Sequence, residues 1–393
     1  MYLTKEEEKI LDGERGEGLR LAMEAVVKVG EVLGAERLIR IVNAHISGIS
    51  YRNIGDEGLE FLKSLAEKGA RFSVPTTVNP AGMDLSKWKE MGVTEEFAIK
   101  QLEILDALRF MGAKLALTCT PYRYIKIRFG DHLAWSESSA VLYANSILGA
   151  RTNRDGGPLA LFEGLVGSAP LVGMHLSESR VPTVVYDLSN LRSECNMVSE
   201  LGYFIGRAEK RGVPAIINLP KNFSEIKNLK LFLASIGTSS GIAMVLIQGI
   251  SPEFKEDYLK GLDVVKPMKS DLVEIRESFF TKDGVVVLGC PHLSPEEIAE
   301  LANKLKDSRV TKRMILFTSR DAAKLARNQI KLLQERGVDV FFDTCMVVTD
   351  LKNMGIKDVV VDSAKAAYYL QSQGYNVSLM SREEALEYAC EGN

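Results

Sequence analysis

Three of the five cysteines sit in similar company: Thr118-Cys119-Thr120-Pro121, Gly289-Cys290-Pro291-His292 and Thr344-Cys345. They lie too far apart for a local Cys-x-x-Cys ligand motif, so any common site must be assembled by the fold. The residues alone allow two readings. Each thiol packs as a small buried hydrophobe at the end of a strand, or the three share one metal site. Three thiolates would leave one corner of a cubane iron–sulfur cluster without a protein ligand, and an open iron can act as a Lewis acid on a substrate hydroxyl and carboxylate. Cys195, in a stretch read as helix, and Cys390, near the end of the sequence, lack that setting and are read as packing residues.

The most unusual stretch is ESSAVLYANSILGARTNRDGG at 137–157. Ser138 and Ser139 precede an apolar helical run, so their hydroxyls and the free amides behind them offer an anion site. Asn145, Ser146, Arg151, Asn153, Arg154 and Asp155 crowd polar and cationic groups onto the helix end and the loop beyond. A capped helix and a solvated turn would use the same residues, but short hydrogen-bonding side chains interleaved with glycines suit a surface for an anionic substrate. HISGIS (45–50) places Gly48, Ile49 and Ser50 where backbone amides could hold phosphate or carboxylate. PTTVNPAG (75–82) offers Asn79 and Pro80 on a stiff turn. Ordinary strand-to-helix turn chemistry accounts for both loops equally well. In DSAKAAYY (362–369), Asp362 and Ser363 are candidate helix caps and Lys365 falls in the first turn, where a cation is unfavourable; it points to solvent or binds an anion. The four histidines form no metal-spaced pair. His45 and His292 fall on candidate site loops, while His132 and His175 read as structural.

Such residues need a scaffold. Thr4 and Glu7 have capping-box spacing, so a helix opens near residue 4, and Leu19, Leu21, Ala22, Ala25, Val26 and Val29 continue an apolar face toward Gly34. Beyond it, short β-branched runs (37–48, 71–78, 114–120, 183–188, 214–220, 242–250, 284–290, 313–319, 339–345 and 358–363) alternate with amphipathic stretches such as 192–208, 294–305 and 320–336. Near-continuous apolar strands separated by helices indicate an α/β protein of mostly parallel sheets covered on both faces. Ligands gather at the carboxyl ends of strands in such sheets, and Cys119, Cys290 and Cys345 all fall at or just past a strand run.

The 393 residues carry 49 Lys and Arg against 52 Asp and Glu, a net charge of −3, with no Lys/Arg-rich run to mark a nucleic-acid partner. With 46% hydrophobic and 26% charged residues the chain is neither disordered nor collagen-like. An odd number of scattered cysteines is no disulfide framework. An acidic, polar start and the lack of any apolar run of ~18–20 residues predict no signal peptide, no membrane span and a cytoplasmic location. At roughly 100–200 residues per domain, three units are expected: 1–180 with the candidate loops and Cys119, a central α/β unit at 181–268, and 269–393 with Cys290 and Cys345.

The start LTKEEEKILDGERGEG (3–18), the HISGIS, PTTVNPAG and TCTPY segments, ESSAVLYANSILGARTNRDGG, GCPH at Cys290, DTC at Cys345 and the DSAK that follows resemble, along the whole chain, the large catalytic subunit of the aconitase X family. The resemblance is closest to its archaeal-type branch acting on mevalonate 5-phosphate. It implies an aconitase-like multi-domain arrangement with the active site between domains. The implied activity is a hydro-lyase that converts (R)-5-phosphomevalonate to trans-anhydromevalonate 5-phosphate in a modified mevalonate route to isoprenoids. It further implies a [4Fe-4S] cluster on Cys119, Cys290 and Cys345, which loss of the labile iron would turn into [3Fe-4S]; a mononuclear iron or an empty site is also compatible with the local residues. The substrate contacts carried over are Gly48, Ile49, Ser50, Asn79, Pro80, Ser138, Ser139 and Lys365, with Arg151 and Arg154 secondary. Aconitases have a further, mobile swivel domain that supplies a catalytic serine. Too little chain follows DSAK for one, so it is expected on a separate small subunit in a heterodimer, and no catalytic base is assigned here. A cis-3-hydroxy-L-proline dehydratase of the same family is the rival enzyme, with no phosphate to hold. A non-catalytic iron–sulfur sensor or scaffold is the rival of another class; an RNA-binding version is disfavoured by the near-neutral charge.

Overall fold

The computed structural model describes residues 1–191 and 196–390, so Cys195 lies outside it. The chain opens with helix Lys5–Leu11 at the expected capping box: Thr4 N–H donates to the Glu7 carboxylate (2.7 Å) and Glu7 N–H to the Thr4 hydroxyl (3.3 Å). Helix Glu17–Val32 follows and buries Ala22, Met23 and Val26.

The described residues then build three parallel sheets. In the first, Asn43–Ser47 runs between Thr76–Asn79 and Leu133–Trp135. Its apolar cover comes from helices Tyr51–Glu67, Glu95–Phe110 and Gly157–Val166, with Leu59, Leu62, Ile104, Leu108 and Leu161 in one cluster. The second sheet has the order Leu246–Ile247, Pro214–Ile217, Val184–Asp187, Val264–Val265, under helices Val198–Ala208 and Ile226–Ser239. The third has five strands, in the order Val338–Phe342, Met314–Thr318, Val285–Leu293, Asp358–Val361, Asn376–Leu379. Alternate residues of its strands feed two cores: Val287, Ile315, Phe317 and Val359 on one face, Val286, Leu288, Leu316 and Val360 on the other. Both faces are covered, which is why these strands read as unbroken apolar runs. An antiparallel pair, Leu38–Arg40 with Ser168–Pro170, sits apart from the three sheets.

Several expectations change in detail. The run 37–48 divides into two strands with different partners. The run 114–120 is no strand: Lys114 makes a single bridge to Thr77, Leu117 turns at φ 46°, and Cys119 sits in the loop before the 3₁₀ turn Pro121–Arg123. Cys290 lies within its strand rather than past the end, where the pairing with Met314–Thr318 breaks register between Leu288 and Leu293. Cys345 follows Val338–Phe342 as expected. The run 242–250 contracts to Leu246–Ile247, the helix expected at 320–336 divides at Ala326, and that expected from 192 is described from Val198. Leu133–Trp135, Ser168–Pro170, Val264–Val265 and Asn376–Leu379 arise where no strand was read. The first three of these span two or three residues, and none shows the length of alternation that marks a strand in sequence. Among the described residues no helix is long and apolar enough to cross a membrane.

Candidate active site

Cys119, Cys290 and Cys345 border one cavity of about 330 Å³. Ser47 and Asn79 reach it from the ends of adjacent strands of the first sheet, Ser136 and Glu137 from just past a third, and Cys345 from beyond a strand of the third sheet. Of the residues expected to contact substrate, Gly48, Asn79, Pro80, Ser138, Arg154 and Lys365 line this cavity. Gly48 holds φ at 85°, a left-handed turn suited to glycine, and donates its N–H to the Asn79 carbonyl (3.1 Å).

The other expected contacts lie elsewhere. Ser50 is fully buried as the cap of helix Tyr51–Glu67, accepting from Arg52 N–H at 3.3 Å, and Ile49 is in the hydrophobic core. Ser139 is buried and donates its hydroxyl to Glu137 (3.1 Å). Arg151 donates to the His175 carbonyl and the Ser177 hydroxyl, both at 2.9 Å. His132 and His175 stack on each other away from the cavity, their Nδ1 atoms 2.9 Å apart.

The expected anion site at the start of the 138 helix is already filled. Glu137 caps it, accepting from Ser139 N–H, and the same carboxylate takes a 2.5 Å hydrogen bond from Lys365, whose ammonium also reaches the Ser138 hydroxyl (3.3 Å). Burial alone would raise the Glu137 carboxyl, yet the ammonium beside it brings it down to about 2. Burial would likewise lower the Lys365 ammonium, and the facing carboxylate raises it instead. The cation at a helix N-terminus therefore binds an anion within the chain. Glu137 was missed in the sequence because an acidic residue before a helix reads as an ordinary cap.

The thiol loops are tied together by His292. Its Nε2 lies 2.8 Å from the Thr344 carbonyl, which can only accept, so this nitrogen carries the proton and Nδ1 accepts from the Thr118 hydroxyl at 3.1 Å. Its backbone N–H points at Cys119 Sγ, 3.3 Å away. Burial lowers the imidazole to about 4 and keeps it neutral. Burial also pushes the Cys119 thiol up to about 12 and raises Cys290 and Cys345, so all three stay protonated until positive charge arrives.

Other polar atoms at the site are poorly paired. Asn79 and His45 are fully buried and their side chains interact, though neither end of the Asn79 amide nor His45 Nε2 makes a hydrogen bond of good geometry; His45 Nδ1 meets the Thr77 hydroxyl at 2.8 Å. Asp155, on the cavity wall, has one unpaired carboxylate oxygen, and burial raises its carboxyl to about 6. Poorly paired buried groups of this kind mark a place for a polar ligand.

Three soft thiol donors around one cavity suit iron–sulfur chemistry. Among the described residues no three His, Cys, Asp or Glu side chains converge on a point that could hold a single ion. Cys119, Cys290 and Cys345 share the wall of one cavity without closing on a single point.

Three family models, the first, second and third domains of aconitase X, match residues 1–178, 182–278 and 284–391. The chain is 40% identical to the phosphomevalonate dehydratase large subunit of Methanocaldococcus jannaschii, over 95% of its own length and 96% of the relative's. It is 34% identical to a cis-3-hydroxy-L-proline dehydratase of Pseudomonas aeruginosa, over 92% of its own length but 65% of the relative's. The crystal structure of Thermococcus kodakaraensis aconitase X in its holo-form superposes with a TM-score of 0.91 at 39% identity, covering 99% of this chain and all of that one. With each of its sheets inside a matched domain and its fold shared almost end to end, the chain belongs to the aconitase X family.

Proposed function

We propose that this chain is the large subunit of a phosphomevalonate dehydratase. It holds an iron–sulfur cluster on Cys119, Cys290 and Cys345 and binds (R)-5-phosphomevalonate in the cavity they border. A small swivel-domain subunit completes the site and supplies a serine as base for the formation of trans-anhydromevalonate 5-phosphate. The observation that carries this reading is the meeting of three thiols, two cationic side chains and a poorly paired buried amide in one cavity. When bound, the cluster supplies a Lewis acid for a tertiary hydroxyl that is otherwise a poor leaving group. Reduced thiols fit a cytoplasmic setting.

The chain's own residues do the rest. Lys365 has three N–H donors, of which Glu137 and Ser138 take two, leaving one to aim at a substrate oxyanion. Arg154 is anchored through one nitrogen on the Ser240 carbonyl and brings a second positive charge to the wall. A substrate with a carboxylate at one end and a phosphate at the other can take hydrogen bonds from both side chains, whereas a hydroxyproline has a single anionic group to offer them. Asn79, whose buried amide makes no hydrogen bond of good geometry within the chain, orients a hydroxyl or carboxylate. Asp155, raised toward neutrality, is the cavity carboxyl suited to carry a proton.

The test is anaerobic loading of the chain with iron and sulfide, alone and with its small subunit, followed by assay on phosphomevalonate and on cis-3-hydroxy-L-proline. Turnover of phosphomevalonate by the complex alone is expected. Turnover by the isolated chain would remove the small subunit from the chemistry, and turnover of hydroxyproline in its place would overturn the substrate. A Cys290→Ser chain with full iron and full activity would overturn the ligand set.

A further inference from the structure

The four polar groups of His292 are spent on three distant parts of the chain, the 118–119 loop, Lys230 and Thr344, and the proposed chemistry uses none of them. The ring nitrogens join Thr118, one residue before Cys119, to Thr344, one residue before Cys345. The backbone N–H meets Cys119 itself, and the backbone carbonyl accepts from Lys230 Nζ at 2.8 Å. His292 stands two residues after Cys290. One residue, 1% exposed, therefore touches or adjoins all three cysteine segments and draws on all three matched domains.

We infer that His292 is the positioning residue of the cysteine site, fixing the three thiol loops relative to one another so that they meet a cluster as one donor set. This rests on the cluster reading above. Two of the three loops are irregular backbone: Cys119 follows the left-handed turn at Leu117, and Cys345 follows Asp343 at φ 64°. Left to themselves such loops would lose conformational freedom each time a cluster was held. A rigid ring with an acceptor on one edge and a donor on the other pins two of them at once. The Thr118 hydroxyl also accepts from the Thr120 N–H (3.3 Å) and lies 3.1 Å from the Thr120 hydroxyl, which donates to it when the Thr118 proton is given to Nδ1. Groups that orient ligands without touching metal typically change metal affinity by about 10- to 100-fold.

Three variants test this: His292→Phe, which keeps a flat ring and no nitrogen; His292→Gln, which keeps one donor for Thr344; and Thr118→Val, which removes only the hydroxyl. Each is loaded anaerobically with iron and sulfide. Iron release to a chelator is then timed below the melting temperature of that variant, and the electron paramagnetic resonance spectrum is recorded after one-electron reduction with dithionite. Release about 10-fold or more faster than wild type is expected for His292→Phe and Thr118→Val, with an altered spectrum and an intermediate rate for His292→Gln. A role in packing alone would lower the melting temperature and leave release and spectrum unchanged, and that result overturns the inference. Should His292→Phe fail to fold, Thr118→Val decides by the same criterion. A wild-type chain that takes up no iron and sulfide overturns the cluster reading, and this inference with it, which separates the two failures.

Discussion

The 2.5 Å contact between Lys365 and Glu137 joins residues 228 positions apart in the chain, and it explains how a cation can lie buried at the start of a helix. On the proposed function, Lys365→Met removes both a substrate donor and the partner of a buried carboxylate. Loss of a charge-assisted hydrogen bond to the substrate, about 1.5–3 kcal/mol, predicts a KM for phosphomevalonate roughly 10- to 100-fold higher in the two-subunit enzyme. Stranding Glu137 adds a stability loss of about 3–5 kcal/mol, read by urea unfolding. The double variant Glu137→Gln, Lys365→Met should recover much of the stability and none of the KM; recovery of both would remove Lys365 from the substrate. At this scale residue type and immediate neighbours left the three cysteines and Asn79 open between packing and a site, and the resemblance singled them out; all four border the cavity. The sequence was opaque where a role is conferred by a distant partner. Glu137 has an ordinary local setting, and Ser50, Ser139 and Arg151 have inviting ones, yet the fold turns the first into the cavity and the other three away from it.

Among the elements, strand Val285–Leu293 does two jobs, pairing in the centre of its sheet and then breaking register to present Cys290. Gly289 makes that break possible. Its φ of 111° is one that side chains resist, and an added Cβ would collide with the Phe317 carbonyl of the neighbouring strand. Gly289→Ala should therefore displace Cys290. The expected outcome is a folded chain with a lowered iron-to-protein ratio after anaerobic loading; wild-type iron content would show that the strand can absorb the methyl group. The same break explains why Cys290 read as the end of a strand: an apolar run followed by Gly and Pro looks terminal, although the strand resumes beyond it. The α/β class, the parallel pairing and the cover on both faces were all legible, because doubly covered strands write long apolar runs into the sequence. Two-residue strands such as Leu246–Ile247 leave too short a trace, and 114–120 carried the trace without making the strand.

Across the whole molecule, charged contacts join the matched domains close to the site, buried at Lys230 and Glu297 and partly exposed at Arg320. Lys230 of the second bonds Glu297 (2.5 Å) and the His292 carbonyl in the third, and Arg382 bridges Glu297 and Asp362 at 2.9 and 2.7 Å. On the other side Arg320 joins Asp84 of the first domain, at 3.0 Å, to Asp343 beside the Cys345 loop, at 2.6 Å. Lys230 and Glu297 are almost wholly buried, so Lys230→Met leaves the carboxylate with only Arg382 and the Ser294 N–H. A loss of about 3–5 kcal/mol is expected in urea unfolding, and loss within experimental error would mean that the pair contributes nothing. None of these partners was legible in sequence, since a charge read alone looks solvated.

The division of the thiols among distant segments also sets a timetable. Cys119 emerges from the ribosome long before Cys290 and Cys345, and its hydrogen-bonding partner His292 comes from the last matched domain. Domains fold largely in the order of synthesis, so the first can be complete while its thiol still waits for two others. The three-thiol cavity is thus complete only once the last matched domain has folded, and a truncated or stalled product carries a lone cysteine where the finished protein gathers three.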